Sequence, residues 1–124
     1  MTNSKRKGKN GELEIVKILK DRGYDVRRSV QYNGAAEDGQ ADVVGLPGIH
    51  IEVKRAEKLN IYDAVSQAIH DCDALHMPAV FHRRNNRSWL VTMPLSYWLT
   101  VYEFSKEALA EYERYITEGD NGKK

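Results

Sequence analysis

Residues 41–54 read Ala-Asp-Val-Val-Gly-Leu-Pro-Gly-Ile-His-Ile-Glu-Val-Lys. Two β-rich runs flank Pro47-Gly48, a turn dipeptide. In the second run Ile49, Ile51 and Val53 alternate with His50, Glu52 and Lys54. A period of two puts the apolar three on one sheet face and the polar three on the other. Glu52 and Lys54 then point the same way, about 7 Å apart along the strand. A hairpin partner carrying Asp42 can set a second carboxylate beside Glu52. Two carboxylates and an ammonium converge on one patch.

That grouping has a chemical use. Mg²⁺ takes oxygen ligands and keeps several waters, so one or two carboxylates suffice to hold it against a phosphate. Such a metal polarises a phosphoryl oxygen and acidifies a bound water, and a nearby lysine orients that water or stabilises developing negative charge. Taken alone, Glu52-x-Lys54 fits a surface salt bridge better; with Asp42 across a turn the two readings stand level.

Composition bounds the alternatives. The 124 residues suit one domain, with 30% charged and 41% hydrophobic residues. The net charge is +1, but residues 1–28 carry nine basic against four acidic side chains, a net of +5. A basic first quarter is consistent with phosphate contacts or with a solvated helix face and tail. Cys72 is the single cysteine, so no intramolecular disulfide forms, which suits a reducing cytoplasm. The polar, basic start gives no sign of a signal peptide. The longest uncharged run, Ser88–Tyr102, is too short for a membrane span.

Taken in order, the chain predicts a flexible basic arm over 1–7, a single domain over 8–118 and a disordered tail over 119–124. A first helix is expected from about Gly8 to Asp21, ending at Gly23. Glu12 heads its apolar stripe of Ile15, Val16 and Leu19, as a capping group or as an acid aimed at a site. Strands follow over 24–30, 42–46 and 49–55, with a long polar loop over 31–40 holding Asn33-Gly34 and Asp38-Gly39. A second helix is expected over 61–75, N-capped by Asn60, with Gln67 at the edge of its stripe. Strands over 79–84 and 88–93 would form a hairpin about Asn85-Asn86. A third helix from Pro94 to about Phe104 and a last one over 106–118, capped by Ser105, complete the set. The expected fold is α/β, a mixed central β-sheet flanked by helices, with the polar side of the 42–55 hairpin forming a cleft near the first helix. The third helix carries more apolar surface than a monomer needs, and a dimer interface is the minority explanation.

The four histidines and one cysteine have no zinc-finger spacing. No phosphate-binding glycine motif or serine-nucleophile elbow is present. His50 shares the polar face of Glu52 and could touch substrate.

Glu12 on an inward helix stripe, then Asp42, Glu52-x-Lys54 and Gln67, occur in an order that resembles the PD-(D/E)xK nuclease superfamily, and in particular its archaeal-type Holliday-junction resolvases and related phage endonucleases. The opening Arg6-Lys7-Gly8-Lys9-Asn10-Gly11-Glu12 and the pair Arg27-Arg28 before a polar loop are similar as well. The likeness spans about residues 6–93; the proline usual before the first aspartate is Ala41 here. The resemblance implies a restriction-endonuclease-like core and an Mg²⁺-dependent DNA endonuclease, with Mn²⁺ as a substitute. Asp42, Glu52 and the carbonyl of Val53 would hold the metal, with Glu12 as a further acidic ligand. Lys54 would position the attacking water, and Gln67 would support the site or contact a phosphate. Lys5, Arg6, Lys7, Lys9, Arg27 and Arg28 would bind DNA backbone. A junction-resolving homodimer in the cytoplasm of a bacterial, archaeal or phage-infected cell is the version favoured. The alternatives are a restriction- or repair-type nuclease or nickase on other DNA structures, a non-catalytic DNA-binding module of the same fold, and an unrelated adaptor without metal affinity.

Overall fold

The computed structural model describes residues 4–29, 31–32, 35–36 and 41–122. It divides into two units, residues 1–94 and 95–124. In the first, helix α1 (Ser4–Asp21) precedes β1 (Arg27–Arg28), the small pair β2 (Gln31–Tyr32) and β3 (Ala35–Ala36), then β4 (Val43–Val44) and β5 (Ile49–Arg55). Helix α2 (Ile61–Asp71) leads to β6 (Met77–Arg83) and β7 (Leu90–Thr92). The main sheet has the order β1-β4-β5-β6-β7. Only β5 and β6 run parallel, in the register Glu52 opposite Val80 and Lys54 opposite His82; the other neighbours are antiparallel. A parallel pair needs a crossover, and α2 supplies it. This is the mixed sheet flanked by helices expected of a restriction-endonuclease-like α/β fold.

Alternation on β5 builds two separate cores. Ile51 and Val53 turn to one face and pack with Val26, Val43 and Ile15 of α1. Val80, in register with Glu52 on the other face, packs with Ala64 and Ala68 of α2. Gly11 lets α1 approach closely: a Cβ there would lie 3.3 Å from both the Arg55 Cβ and a Val53 methyl. Helix α1 closes at Gly23 (φ 94°), where the Gly23 N–H donates to the Lys20 carbonyl and the Tyr24 N–H to the Leu19 carbonyl, a Schellman pattern that satisfies the last carbonyls.

Several boundaries differ from expectation. Helix α1 starts at Ser4, inside the stretch expected as a flexible arm, because Lys5, Arg6 and Lys7 are good helix formers and Gly8 alone does not end a helix. Helix α2 begins as expected, with Asn60 Oδ1 accepting from the Asp63 N–H at 3.1 Å, but stops at Asp71. Beyond it Asp73 Oδ1 accepts from the Leu75 N–H at 2.8 Å, a local turn that competes with helix. The expected polar loop is described only at 31–32 and 35–36; Asn33-Gly34 and Asp38-Gly39 lie outside the described residues, as does Val30.

The second unit is one helix, α3 (Leu95–Gly122), where two had been expected. Ser105 is a good cap only where the chain enters from outside a helix, and no proline or glycine interrupts 95–118 to make it do so. Pairs Lys106–Glu103 and Arg114–Glu111 span single turns. The helix continues past Glu118 into the segment expected as a tail. No described helix is long and apolar enough to cross a membrane.

Candidate active site

The β4–β5 hairpin positions the carboxylates. Its turn is Leu46-Pro47-Gly48-Ile49, closed by the Ile49 N–H donating to the Leu46 carbonyl at 3.2 Å. Gly48 takes φ 80°, as the third residue of a type II turn requires, and Pro47 presets the second. Gly45 has φ 111°, and a Cβ there would sit 2.4 Å from the Asp25 carbonyl oxygen. The turn fixes Val43 opposite Ile51, which places Asp42 opposite Glu52.

Asp42 is tied on three sides. Its N–H donates to the Ile51 carbonyl at 2.9 Å, and its carbonyl accepts from the Ser29 N–H at 3.0 Å. Its side-chain Oδ2 accepts from the Val53 N–H at 2.8 Å. A carboxylate oxygen thus takes the place of a main-chain acceptor, leaving Asp42 little rotational freedom. Burial, the charge of Glu52 and, more weakly, that of Glu12 push the Asp42 carboxyl up to about 7, against the opposing pull of the Val53 N–H. Glu52 is also close enough to share a hydrogen bond with it.

The polar face of β5 is not the open cleft expected. Glu52 is 4% exposed and His50 6%, because α2 packs over that face. The His50 Nε2 lies 2.8 Å from Glu52 Oε1. This bond holds one oxygen of Glu52 and leaves the other for Asp42 and whatever lies between them. His50 is the residue whose place sequence reasoning undervalued. The signal was present, since it shares the period-two face of Glu52, but its burial depends on α2.

Glu12 is half-buried and accepts from Arg28 Nε at 2.8 Å, so α1 and β1 meet beside the site. Lys54 is half-buried, on the Glu52 face of β5, and forms no ion pair among the described residues. Gln67 is not drawn in. Ala64 and Ala68 occupy the buried side of α2, and Gln67 stays exposed, its Nε2 donating to Asp71 Oδ2 at 2.8 Å. Of the expected DNA contacts, Arg6, Lys7 and Lys9 lie on α1, with Arg6 and Lys9 exposed. Lys5 falls in the same helix. Arg27 is exposed on β1, whereas Arg28 is engaged with Glu12. Glu14, two residues on from Glu12 and so on another side of α1, clamps Arg55 at 2.9 Å and Arg83 at 2.8 Å, fixing the far ends of β5 and β6.

Among the described residues no three His, Cys, Asp or Glu side chains form a ready-made metal cage. What the site offers is a pair of opposed, partly desolvated carboxylates whose mutual repulsion a cation would relieve. That hard-oxygen donor set matches Mg²⁺, which needs only one or two carboxylates and keeps its waters. With a lysine beside it, the arrangement can carry phosphoryl chemistry.

A family model described as "Phage putative PDDEXK endonuclease" matches residues 3–123. No curated protein matches the chain.

Proposed function

The chain belongs to this family of phage PDDEXK endonucleases, and from that premise we propose that it is an Mg²⁺-dependent DNA endonuclease of the junction-resolving kind, working as a homodimer. The observation that carries the catalytic part is the opposition of Asp42 and Glu52 across the hairpin, with Asp42 pushed up to about 7. Asp42 and Glu52 would hold the metal, with the Val53 carbonyl and Glu12 as further oxygen donors. A bound Mg²⁺ would supply Lewis-acid polarisation of the phosphate and a more acidic water.

The chain's own groups do the rest. The Val53 N–H pins Asp42, and His50 pins Glu52, so both carboxylates are oriented before substrate arrives. The Lys54 ammonium, without an internal partner, orients the attacking water and offsets charge on the phosphoryl oxygens. Gln67, on the exposed side of α2, would meet a phosphate rather than the metal. Lys5, Arg6, Lys7, Lys9 and Arg27 present positive charge to the DNA backbone without reading bases. A four-way junction needs two coordinated cuts, which a two-fold dimer supplies. Helix α3 supports the dimer: Leu95, Trp98, Tyr102, Leu109, Tyr112 and Ile116 recur at the three-four spacing of a coiled-coil seam, and each is at least 40% exposed.

The test is cleavage of a labelled four-way junction and a matched duplex, with Mg²⁺ or with EDTA, beside Asp42→Asn and Glu52→Gln. Paired symmetric cuts in the junction alone, lost in EDTA and in both variants, are expected. Equal cutting of the duplex would remove the junction preference. Undiminished cleavage by either variant would sink the metal-site assignment.

A further inference from the structure

The sheet carries a second feature next to this site. A pocket of about 590 Å³ opens where β6 turns into β7, lined by Ala56, Leu59, His82, Arg83, Arg84 and Arg87 among others. His82 is in register with Lys54, so the pocket lies on the sheet face of Glu52 and Lys54. Strand geometry puts the His82 Cα about 8 Å from that of Glu52, and the turn that carries Arg84 and Arg87 begins just beyond the end of β6 at Arg83.

Its charge is unbalanced. Arg55 and Arg83 share Glu14. Glu57, adjacent to the lining Ala56, accepts from the Asn85 N–H at 3.0 Å. Arg84 and Arg87 are exposed, and neither guanidinium has a carboxylate partner among the described residues. The turn that carries them is held in shape. The Arg83 Nη1 reaches the carbonyls of Arg84 and Arg87 at 3.5 and 3.4 Å. The Arg87 N–H donates to the Arg84 carbonyl at 3.3 Å, and Asn86 takes φ 60°. Arg55 Nη2 touches Asn85 Oδ1 at 3.5 Å, and the Arg83 guanidinium stacks 5.6 Å over Trp89. Two unpaired cations on a braced turn, lining a pocket with His82, Asn86 and Ser88, form a preorganised anion seat rather than a solvated tail.

The geometry points to Arg84 and Arg87 as a phosphodiester clamp, which seats backbone phosphates of the DNA strand to one side of the bond cut at Asp42 and Glu52. The assignment rests on the nuclease reading for the identity of its ligand. Guanidiniums suit the role because their planar donors grip phosphate oxygens in pairs.

The experiment measures binding of a labelled DNA junction in EDTA across a salt series, for wild type, Arg84→Gln/Arg87→Gln and Arg84→Lys/Arg87→Lys. The glutamine pair is expected to weaken binding at least 10-fold at 0.1 M salt and to lower the slope of log K against log salt by about two. The lysine pair keeps the wild-type slope, which separates charge from folding. Unchanged affinity and slope in the glutamine pair would overturn the clamp. Because binding is read without cleavage, this outcome is independent of Asp42→Asn, whose continued activity would instead overturn the catalytic reading.

Discussion

Replacing Asp42 by Asn should stabilise the metal-free protein at neutral pH while removing its response to divalent cations. The Asp42 carboxyl lies at about 7 in the folded chain against 3.8 ordinarily. The folded state therefore holds a proton that the unfolded chain gives up from about pH 4. Stability is fully present below the unfolded value and is lost as pH rises through the folded one. Each unit corresponds to about 1.4 kcal/mol, so the ionised aspartate costs about 4 kcal/mol at pH 8. Asparagine keeps an acceptor for the Val53 N–H and can donate to Glu52. Exchanging a charge-assisted bond for a neutral one returns about 1 kcal/mol. The net expectation is about 3 kcal/mol at pH 8 and near zero at pH 4, or a Tm gain on the order of 10 °C for a chain of this length. Thermal unfolding of both proteins from pH 4 to 8 in EDTA measures it, with the difference between them cancelling groups they share. Adding Mg²⁺ in millimolar amounts should raise the wild-type Tm, since a ligand of the folded state stabilises it, and leave Asp42→Asn unmoved. Parallel pH profiles, or equal response to Mg²⁺, would refute the argument that these carboxylates repel one another and wait for a cation.

Other expectations follow from the same contacts. His50→Ala leaves buried Glu52 without its partner and should destabilise by about 2–3 kcal/mol, with divalent affinity, measured by calorimetry, falling 10–100-fold. His50→Gln keeps a donor and should recover most of the affinity. Gly45→Ala meets both a positive φ and the Asp25 carbonyl and should cost at least about 2 kcal/mol in urea unfolding; a neutral result would contradict the hairpin geometry. Leu109→Glu places a charge in the α3 seam and should shift a dimer to monomer in light scattering, while a chain already monomeric at micromolar concentration would remove the dimer.

The nuclease signature was legible because its core is local. Alternation in 49–54, the Pro47-Gly48 turn and the position of Asp42 are short-range signals, and a type II hairpin converts them into one register. That register alone sets Asp42 opposite Glu52, so the pair could be read before any packing was known. The N-cap at Asn60 and the stop at Gly23 were legible for the same reason, since each depends on residues within one turn. Helix α3 was misread at Ser105 because a capping residue is ambiguous until the chain on its other side is known to be helical or not.

What needed the tertiary structure are the contacts between elements distant in sequence. His50 looks solvent-facing on β5, and it is buried against Glu52 only because α2 crosses over to make β6 parallel to β5. Glu14 gives no sign in sequence that it will clamp Arg55 and Arg83, which lie 41 and 69 positions away. Arg84, expected at the end of a strand, and Arg87, expected in the turn after it, come to the Glu52 side of the sheet only through the register of Lys54 with His82. By itself the sequence determined the hairpin and the identity of its acids, through steric and hydrogen-bond preferences acting over a few residues. Which acids are desolvated, which cations are left unpaired and which faces are covered were decided by packing between elements, where burial and charge depend on neighbours that the linear order does not reveal.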